Sequence, residues 1–387
     1  MRFKKILSKA AKKIVSCVNG MVPKNKKRVI FITNPDFTGN GMAFYDFLHD
    51  NHKDYELIWF LKNMDETDHV QGVTYVRQNS LQAFWIYLRS KYIITTHNEM
   101  IGIKSANQVY LSLWHGMPLK KIGYLADSEA SNMEAYSAER IATSELMRAI
   151  IASSFKEDAS KVHVMGQPRN DYLFNKVNIL DSIPENYKKI LYMPTFRQNT
   201  NNSNFSDGKG IENNNFFRVK DFDLLALNAF LEQNKCVMYL KFHPFEERLL
   251  PDNLESQYIK VITSTYCKSR KIDINSILAE IDLLITDYSS VYFDYLILNR
   301  PMIFLTPDIQ EYSLQRGGYT LEPVEYWMPG KHVTLQSEVL QEIEKLFKSE
   351  DEFSIKRQEI NSLINRYSDA NNCQRLYDKF FDGKINV

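Results

Sequence analysis

No stretch of about 18 consecutive apolar residues, the length a membrane-crossing helix needs, occurs in this chain. Cysteine is scarce. Cys17, Cys236, Cys267 and Cys373 show no CxxC and no Cys/His ligand spacing, which excludes a disulfide framework or a zinc site and fits a reducing cytoplasm. No GxxxxGK[ST] is present, so P-loop phosphoryl transfer is excluded. No paired metal-ligand motif stands out, and neither a metal nor a cofactor is called for. The net charge of +1 leaves no global field to draw the molecule to nucleic acid. One absence is local: no acidic residue precedes Asp36.

That gap in acidic residues coincides with ten cations, from Arg2, Lys4 and Lys5 to Lys26, Lys27 and Arg28. Phe3, Ile6, Leu7, Ala10, Ala11, Ile14, Val15 and Val18 recur at helical spacing and gather on one face. A basic amphipathic helix over residues 1–22 suits an anionic bilayer surface, where each nearby cation contributes about 1 kcal/mol. The plainer alternative is a helix packed on the protein with its lysines solvated. A cleaved signal peptide fits less well, because lysines interrupt the apolar run and no small-residue cleavage site follows.

The remainder reads as ordinary globular sequence, 44% hydrophobic and 25% charged, and 387 residues exceed what one core usually supports. Short apolar runs alternate with helical patterns: RVIFIT, YELIWFLK, GVTYVR, YIITTH, QVYLSLWH, ERIATS and KVHVMG. A polar, proline-containing stretch near 175–188 separates a second series: KILYMPTFR, CVMYLKFHP, YIKVITS, IDLLITDYSS and PMIFLTP. Strands apolar throughout, alternating with helices, predict parallel sheets covered on both faces. The economical architecture is α/β, two doubly wound domains facing a cleft. The asparagine-rich segment 198–217 reads as a surface loop, either a lid or without function. The tail from about residue 336 reads as a closing helix pair.

In such sheets ligands bind beyond the carboxyl ends of the strands, and there this sequence places its chemistry. One strand ends in WHG (His115), one in MPTFR (Thr195, Arg197), one in KFHP (Lys241, His243) and one in TDYSS (Asp287, Ser289, Ser290). Each has a bland reading. A single histidine is more often structural than catalytic, TDYSS is a plausible helix cap, and Lys120 and Lys121 are equally well surface charges. Turn residues after both histidines (Gly116 and Pro118, then Pro244) favour exposure. Capping and anion binding use the same free amides, so those readings do not compete. Two histidines, an arginine, a lysine and a serine-bearing helix start suit a phosphate or diphosphate substrate, with histidine as general base and cations on the leaving group.

WHGMPLKKIG, GQPRND, YMPTFR, LKFHPFE and DLLITDYSSVYFDYLILNRPMIFLTPD, in this order, resemble the CDP-glycerol glycerophosphotransferase family of teichoic acid synthesis. RGGYTLEPVEYWMPG resembles that family's Arg-Gly-Tyr and Pro-Gly segment, and the likeness runs from about residue 28 to about residue 335. The resemblance implies a GT-B-like pair of Rossmann-type domains with a CDP-activated donor in the cleft. It implies transfer of a polyol phosphate, glycerol phosphate first and ribitol phosphate second, to a hydroxyl of a polyprenyl-diphosphate-linked acceptor, with release of CMP. By resemblance His115 is the base for the acceptor hydroxyl, and His243 lies beside the donor diphosphate. Ser289, Ser290 and Asp294 belong to the segment that holds the nucleotide and its phosphates, and Arg197 and Arg316 match arginines near the cleft. Thr195, Lys241 and Asp287 join the donor side; Gly116, Pro118 and Lys120 join the acceptor side. The family commonly has Thr after the His-Gly pair, and Met117 stands there instead, a lost hydroxyl that would alter substrate preference without removing the base. The extra amino-terminal region of longer polymerising members is missing, which leans towards a primase-like or short transferase.

The expected organisation is therefore a membrane-associating helix at 1–22, an acceptor-side domain at 23–180, a CDP-donor domain at 181–345 and closing helices at 346–387. The expected place is the cytoplasmic face of the cell membrane, peripherally bound, and a homo-oligomer is compatible with it. Two rival readings stand beside it: a GT-B glycosyltransferase using a sugar nucleotide, and a non-catalytic membrane scaffold.

Overall fold

A computed structural model describes residues 2–62, 73–131, 133–175, 178–180, 183–197, 211, 214–251, 254–348 and 350–382, with backbone alone for 2–8 and 314–316. The asparagine-rich segment falls mostly outside these residues. The chain divides into two units. The first comprises residues 1–117, 134–172 and 369–387; the second comprises 118–133 and 173–368.

The first unit is built on seven strands: β1 (Asn25–Ile32), β2 (Glu56–Leu61), β3 (Thr74–Arg77), β4 (Ser90–Thr95), β5 (Val109–Ser112), β6 (Glu139–Ala142) and β7 (Val162–Val164). They lie in the order β3-β2-β1-β4-β5-β6-β7, every pairing parallel. The second unit holds β8 (Lys188–Tyr192), β9 (Cys236–Leu240), β10 (Ile259–Val261), β11 (Leu283–Thr286), β12 (Met302–Leu305) and β13 (Lys331–Val333). Their order is β10-β9-β8-β11-β12-β13, again all parallel. Both are doubly wound sheets whose strand order reverses at one point, between β1 and β4 in the first and between β8 and β11 in the second. This is the mixed α/β, two-domain fold expected from the apolar strands. The expected strands all form; β13 is an addition, three residues with no apolar run to announce it.

Burial on both faces explains the strand composition. Val29 and Phe31 of β1 pack on one side, with helix α2 (Gly39–Asn51), while Ile30 and Ile32 pack on the other, with Tyr87 of α3 (Leu81–Arg89). The expected closing pair is three helices, Gln336–Phe347, Ser354–Ile364 and Asn372–Phe380. The last returns to the first unit, where Cys373 and Leu376 complete the β1 core.

The amino-terminal helix α1 (Arg2–Met21) docks through its polar residues. The Lys12 ammonium pairs with Glu134 at 3.1 Å, Ser16 donates to the Lys104 carbonyl, and Asn19 donates to the Ile103 carbonyl and to Gln108, both at 2.8 Å. Positions 12, 16 and 19 share one face of a helix. Ile14, Val18 and Met21 lie on the other and are exposed, as are Leu81 and Trp85 of α3.

The first turn of α2 lies close against the end of β1. A Cβ on Gly41 would meet the Thr33 Cγ2 at 2.3 Å, and Thr33 is itself buried. We expect Gly41→Ala to cost about 1–3 kcal/mol through overpacking, read as a lowered denaturant midpoint at unchanged slope. Gly20→Ala, with open space around it, is the control, and equal effects for the two would refute the packing argument.

Candidate active site

In the first unit, β4 and β5 are neighbours in parallel register, Thr95 beside Ser112. Their carboxyl ends therefore deliver two imidazoles to one edge, His97 two residues past β4 and His115 three residues past β5. The rings stack with centroids 4.4 Å apart and planes 11° from parallel. Trp114 leans on His115 at 4.3 Å and 37° and meets Phe155 edge-on at 4.8 Å. Trp114 reaches this position with a φ of 54°, a left-handed conformation that a bulky residue keeps only when its surroundings over-determine it.

Asn40 supplies much of that constraint. It is fully buried; its amide donates to the Leu113 and Trp114 carbonyls at 3.2 and 3.1 Å, and its carbonyl accepts the Arg169 N–H at 3.2 Å. The Arg169 guanidinium donates to the His115 carbonyl at 2.9 Å. Gly116 has a φ of 142°, which L side chains rarely adopt, and a Cβ there would also meet that guanidinium at 2.9 Å, so the backbone after the histidine calls for glycine.

His115 is reached by solvent, while protein crowds the rest of its ring. Burial lowers its pKa most, with His97 and Arg169 adding to the effect, to about 3; the neighbouring Thr96 backbone pulls the other way. Because one edge is open to water, the chemistry uses the direction of this shift more than its size. At neutral pH the ring is uncharged, so one of its two nitrogens carries a lone pair.

In the second unit, three adjacent strands, β9, β8 and β11, bring their ends together. Asp287 accepts the Thr195 N–H at 2.8 Å and pairs with Arg197 at 2.9 Å. Arg197 also pairs with Asp308 at 3.2 Å, and its guanidinium lies 5.0 Å from the Tyr288 ring centroid and 4.5 Å from that of Tyr312. Only 2% of Arg197 is exposed. Burial alone would lower its pKa, but Asp287 and Asp308 outweigh that and raise it. The structure thus gives Arg197 the post of a buried keystone and not of a solvent-facing cation.

Lys241 is similarly engaged: its three donors go to the Phe242 carbonyl, Glu247 and Ser264 at 2.9, 2.7 and 3.2 Å. His243 follows it at the surface, stacked on Phe196 at 4.6 Å. Its Nδ1 accepts the Phe245 N–H at 3.4 Å, capping the helix Pro244–Glu247. That bond leaves the proton of the neutral ring on Nε2, and burial followed by Lys241 lowers the pKa. In the same helix Glu246 accepts the Arg197 N–H at 3.3 Å and the Arg218 guanidinium.

Ser289 and Ser290 are partly exposed ahead of the helix Val291–Tyr295, and Asp294 is buried within it. Pro118 and Lys120 belong to the second unit. Lys120 bridges antiparallel to Tyr319 with its ammonium 5.3 Å from the Tyr312 ring centroid, and the Pro118 carbonyl accepts the Thr320 hydroxyl at 2.7 Å. The Arg316 side chain lies outside the described residues. Met117, where a hydroxyl had been expected to matter, is 1% exposed and packs inward. No metal-ligating cluster occurs among the described residues.

Sequence reasoning passed over His97, Arg169 and Asn40. YIITTH carries the same signal as the other strand ends, a histidine directly after an apolar run, but no glycine or proline follows to mark it. GQPRND was legible only as a motif, and Asn40 only as part of a loop.

Residues 14–382 match the family CDP-Glycerol:Poly(glycerophosphate) glycerophosphotransferase. The chain belongs to that family. It is accordingly an enzyme of the glycerophosphotransferase type, which the order of WHGMPLKKIG, LKFHPFE and TDYSS had implied. Among curated relatives, the teichoic acid poly(glycerol phosphate) polymerase of Bacillus spizizenii is 30% identical, over 86% of each chain. The teichoic acid glycerol-phosphate transferase of Staphylococcus aureus is 26% identical, over 92% of this chain and 93% of its own length. A solved structure of the wall teichoic acid polymerase TagF, a histidine-to-asparagine variant soaked with CDPG, matches with a TM-score of 0.78. Identity there is 22%, over 98% of this chain and 97% of that one, and the likeness establishes the fold.

Replacing Arg197 by Met would strand the Asp287 and Asp308 carboxylates without their cation. We expect a loss of about 3–5 kcal/mol, the usual consequence of breaking a buried pair, measured by chemical denaturation. A change below about 1 kcal/mol would remove Arg197 from its keystone role.

Proposed function

We propose that this glycerophosphotransferase moves a polyol phosphate from a CDP-activated donor to a hydroxyl of a polyprenyl-diphosphate-linked acceptor and releases CMP. The two relatives described above are named for glycerol phosphate, which ranks glycerol above ribitol. The observation that carries the reading is the setting of His115: its ring is stacked between His97 and Trp114, kept uncharged, and reached by solvent. That is what a base for a hydroxyl requires. The acceptor hydroxyl attacks the β-phosphorus of the donor in line while His115 takes its proton. His243, with its proton on Nε2, is suited to donate to a phosphate oxygen as charge grows on the departing CMP. Thr195, Ser289 and Ser290 line the donor side. Asp287, Arg197 and Lys241 act from beneath, by fixing the strand ends, and Asp294 belongs to the helix that follows the donor-side serines. Gly116, Pro118 and Lys120 form the acceptor side, and Arg316 adds a cation for the donor.

The same reading places the enzyme on the cytoplasmic face of the membrane. No helix among the described residues is long and apolar enough to cross a bilayer. The outward stripe of Ile14, Val18 and Met21, flanked by the exposed Lys9 and Lys13, has the composition of a helix lying in an anionic interface. Docking through Lys12, Ser16 and Asn19 leaves that stripe free, which favours a lipid surface over the solvated-helix alternative.

Three expectations follow from this. His115→Ala abolishes turnover of labelled CDP-glycerol while equilibrium donor binding survives; retained turnover would overturn the assignment of the base. Against a panel of CDP-glycerol, CDP-ribitol and UDP- or CMP-sugars, the CDP-polyols are consumed, and preference for a sugar nucleotide would install the glycosyltransferase reading instead. Removing residues 1–22 releases the protein from phosphatidylglycerol vesicles, and unchanged co-sedimentation would count against the membrane role.

A further inference from the structure

We infer that His97 is a positioning residue for His115, holding the plane of that ring by face-to-face stacking at the solvent-reached edge of the unit. The inference rests on the reading of His115 as base. Stacking at 4.4 Å and 11° fixes the plane of the His115 ring, and Trp114 leans on the same ring at 4.3 Å.

His97 can serve because it is itself immobilised. Its Nδ1 lies 3.0 Å from the Thr96 hydroxyl, which in turn accepts the Asn34 N–H at 3.2 Å. The His97 N–H donates to Glu99 at 2.9 Å. The Glu99 carbonyl accepts the Tyr110 hydroxyl at 2.6 Å, and Asn98 accepts from Arg140 at 2.8 Å. Asn98 and Met100 both have a φ of 57°, a conformation that costs of order 1–3 kcal/mol at a non-glycine residue and persists only where surroundings impose it. A turn so braced around a histidine whose side chain is still 31% exposed is not explained by core packing.

Electrostatics act in the same sense. His97 and Arg169 both disfavour a proton on His115, and the Thr96 backbone favours one. His97 is kept uncharged, its pKa lowered to about 4 by burial and then by Lys62, with the Glu99 carboxylate 3.9 Å from its Nδ1. Removing the stacked ring admits water to His115 and raises its pKa towards the ordinary value near 6.5. Because the base works unprotonated, the acid limb of the rate profile then moves to higher pH.

The test compares full-length His97→Ala and His97→Phe with the parent enzyme. His115 is titrated by NMR of histidine-labelled protein, and turnover of CDP-glycerol is followed across pH. In His97→Ala we expect a raised His115 pKa, kcat reduced about 10- to 100-fold and an unchanged KM for the donor. His97→Phe, which keeps a planar face, restores kcat most of the way and returns the His115 pKa below the ordinary value. If His97→Ala melts below the assay temperature, His97→Leu, which fills the space without a planar face, takes its place. An unmoved His115 pKa with parental kcat in the variant lacking a ring refutes the inference, as does failure of His97→Phe to rescue. The NMR titration does not depend on turnover. A shifted His115 pKa in a protein whose His115→Ala form stays active would uphold the stacking and refute the base.

Discussion

A parallel strand buried on both faces has no side chain to spare for chemistry, and that constraint governs this protein. Val29 to Ile32 and Leu283 to Thr286 are all buried. Polar function can therefore begin only where a strand stops and its next residues turn outward. His97, His115, Thr195, Arg197, Lys241, His243, Asp287 and Ser289 all sit within five residues of such an end. They collect beside the two points where strand order reverses, since there neighbouring loops diverge and leave room.

A turn at a strand end is flexible unless something holds it, and the two units hold theirs differently. In the first, hydrogen bonds do so: Asn40 ties the loops after β5 and β7 together from a fully buried site, and Thr96 relays one hydrogen bond into another. In the second, charge does so. Arg197 between Asp287 and Asp308, and Glu246 between Arg218 and the Arg197 backbone, lock β8, β11 and the His243 helix to one another. Buried ion pairs of this kind add little net stability against an apolar core of the same volume. What they do provide is directional, because a carboxylate that accepts from two loops fixes their separation.

This division explains what was legible in the sequence. The sheets were, because apolar runs alternating with helical periods have few other solutions. His115 and His243 were, because a histidine between an apolar run and a turn stands out. Arg197 and Lys241 were legible as residues but not in their roles: a cation at a strand end reads alike whether it faces a ligand or a carboxylate distant in sequence. Asp287, Asp308 and Glu247 supply those partners, 90 positions away, 111 positions away and 6 positions away respectively. His97 was hidden for want of a glycine beside it, and Met117 drew attention only through a family pattern that says nothing of which way its side chain points.

The return of helix Asn372–Phe380 to the first unit carries a consequence for biosynthesis. Cys373 and Leu376 close the same apolar cluster as Val29 and Phe31 of the first strand. A ribosome that has made β1 must therefore translate through the whole second unit before the first can finish its core. Vectorial synthesis would leave the β1 face incompletely covered for most of that interval, and the unit that begins the chain is the last to be completed.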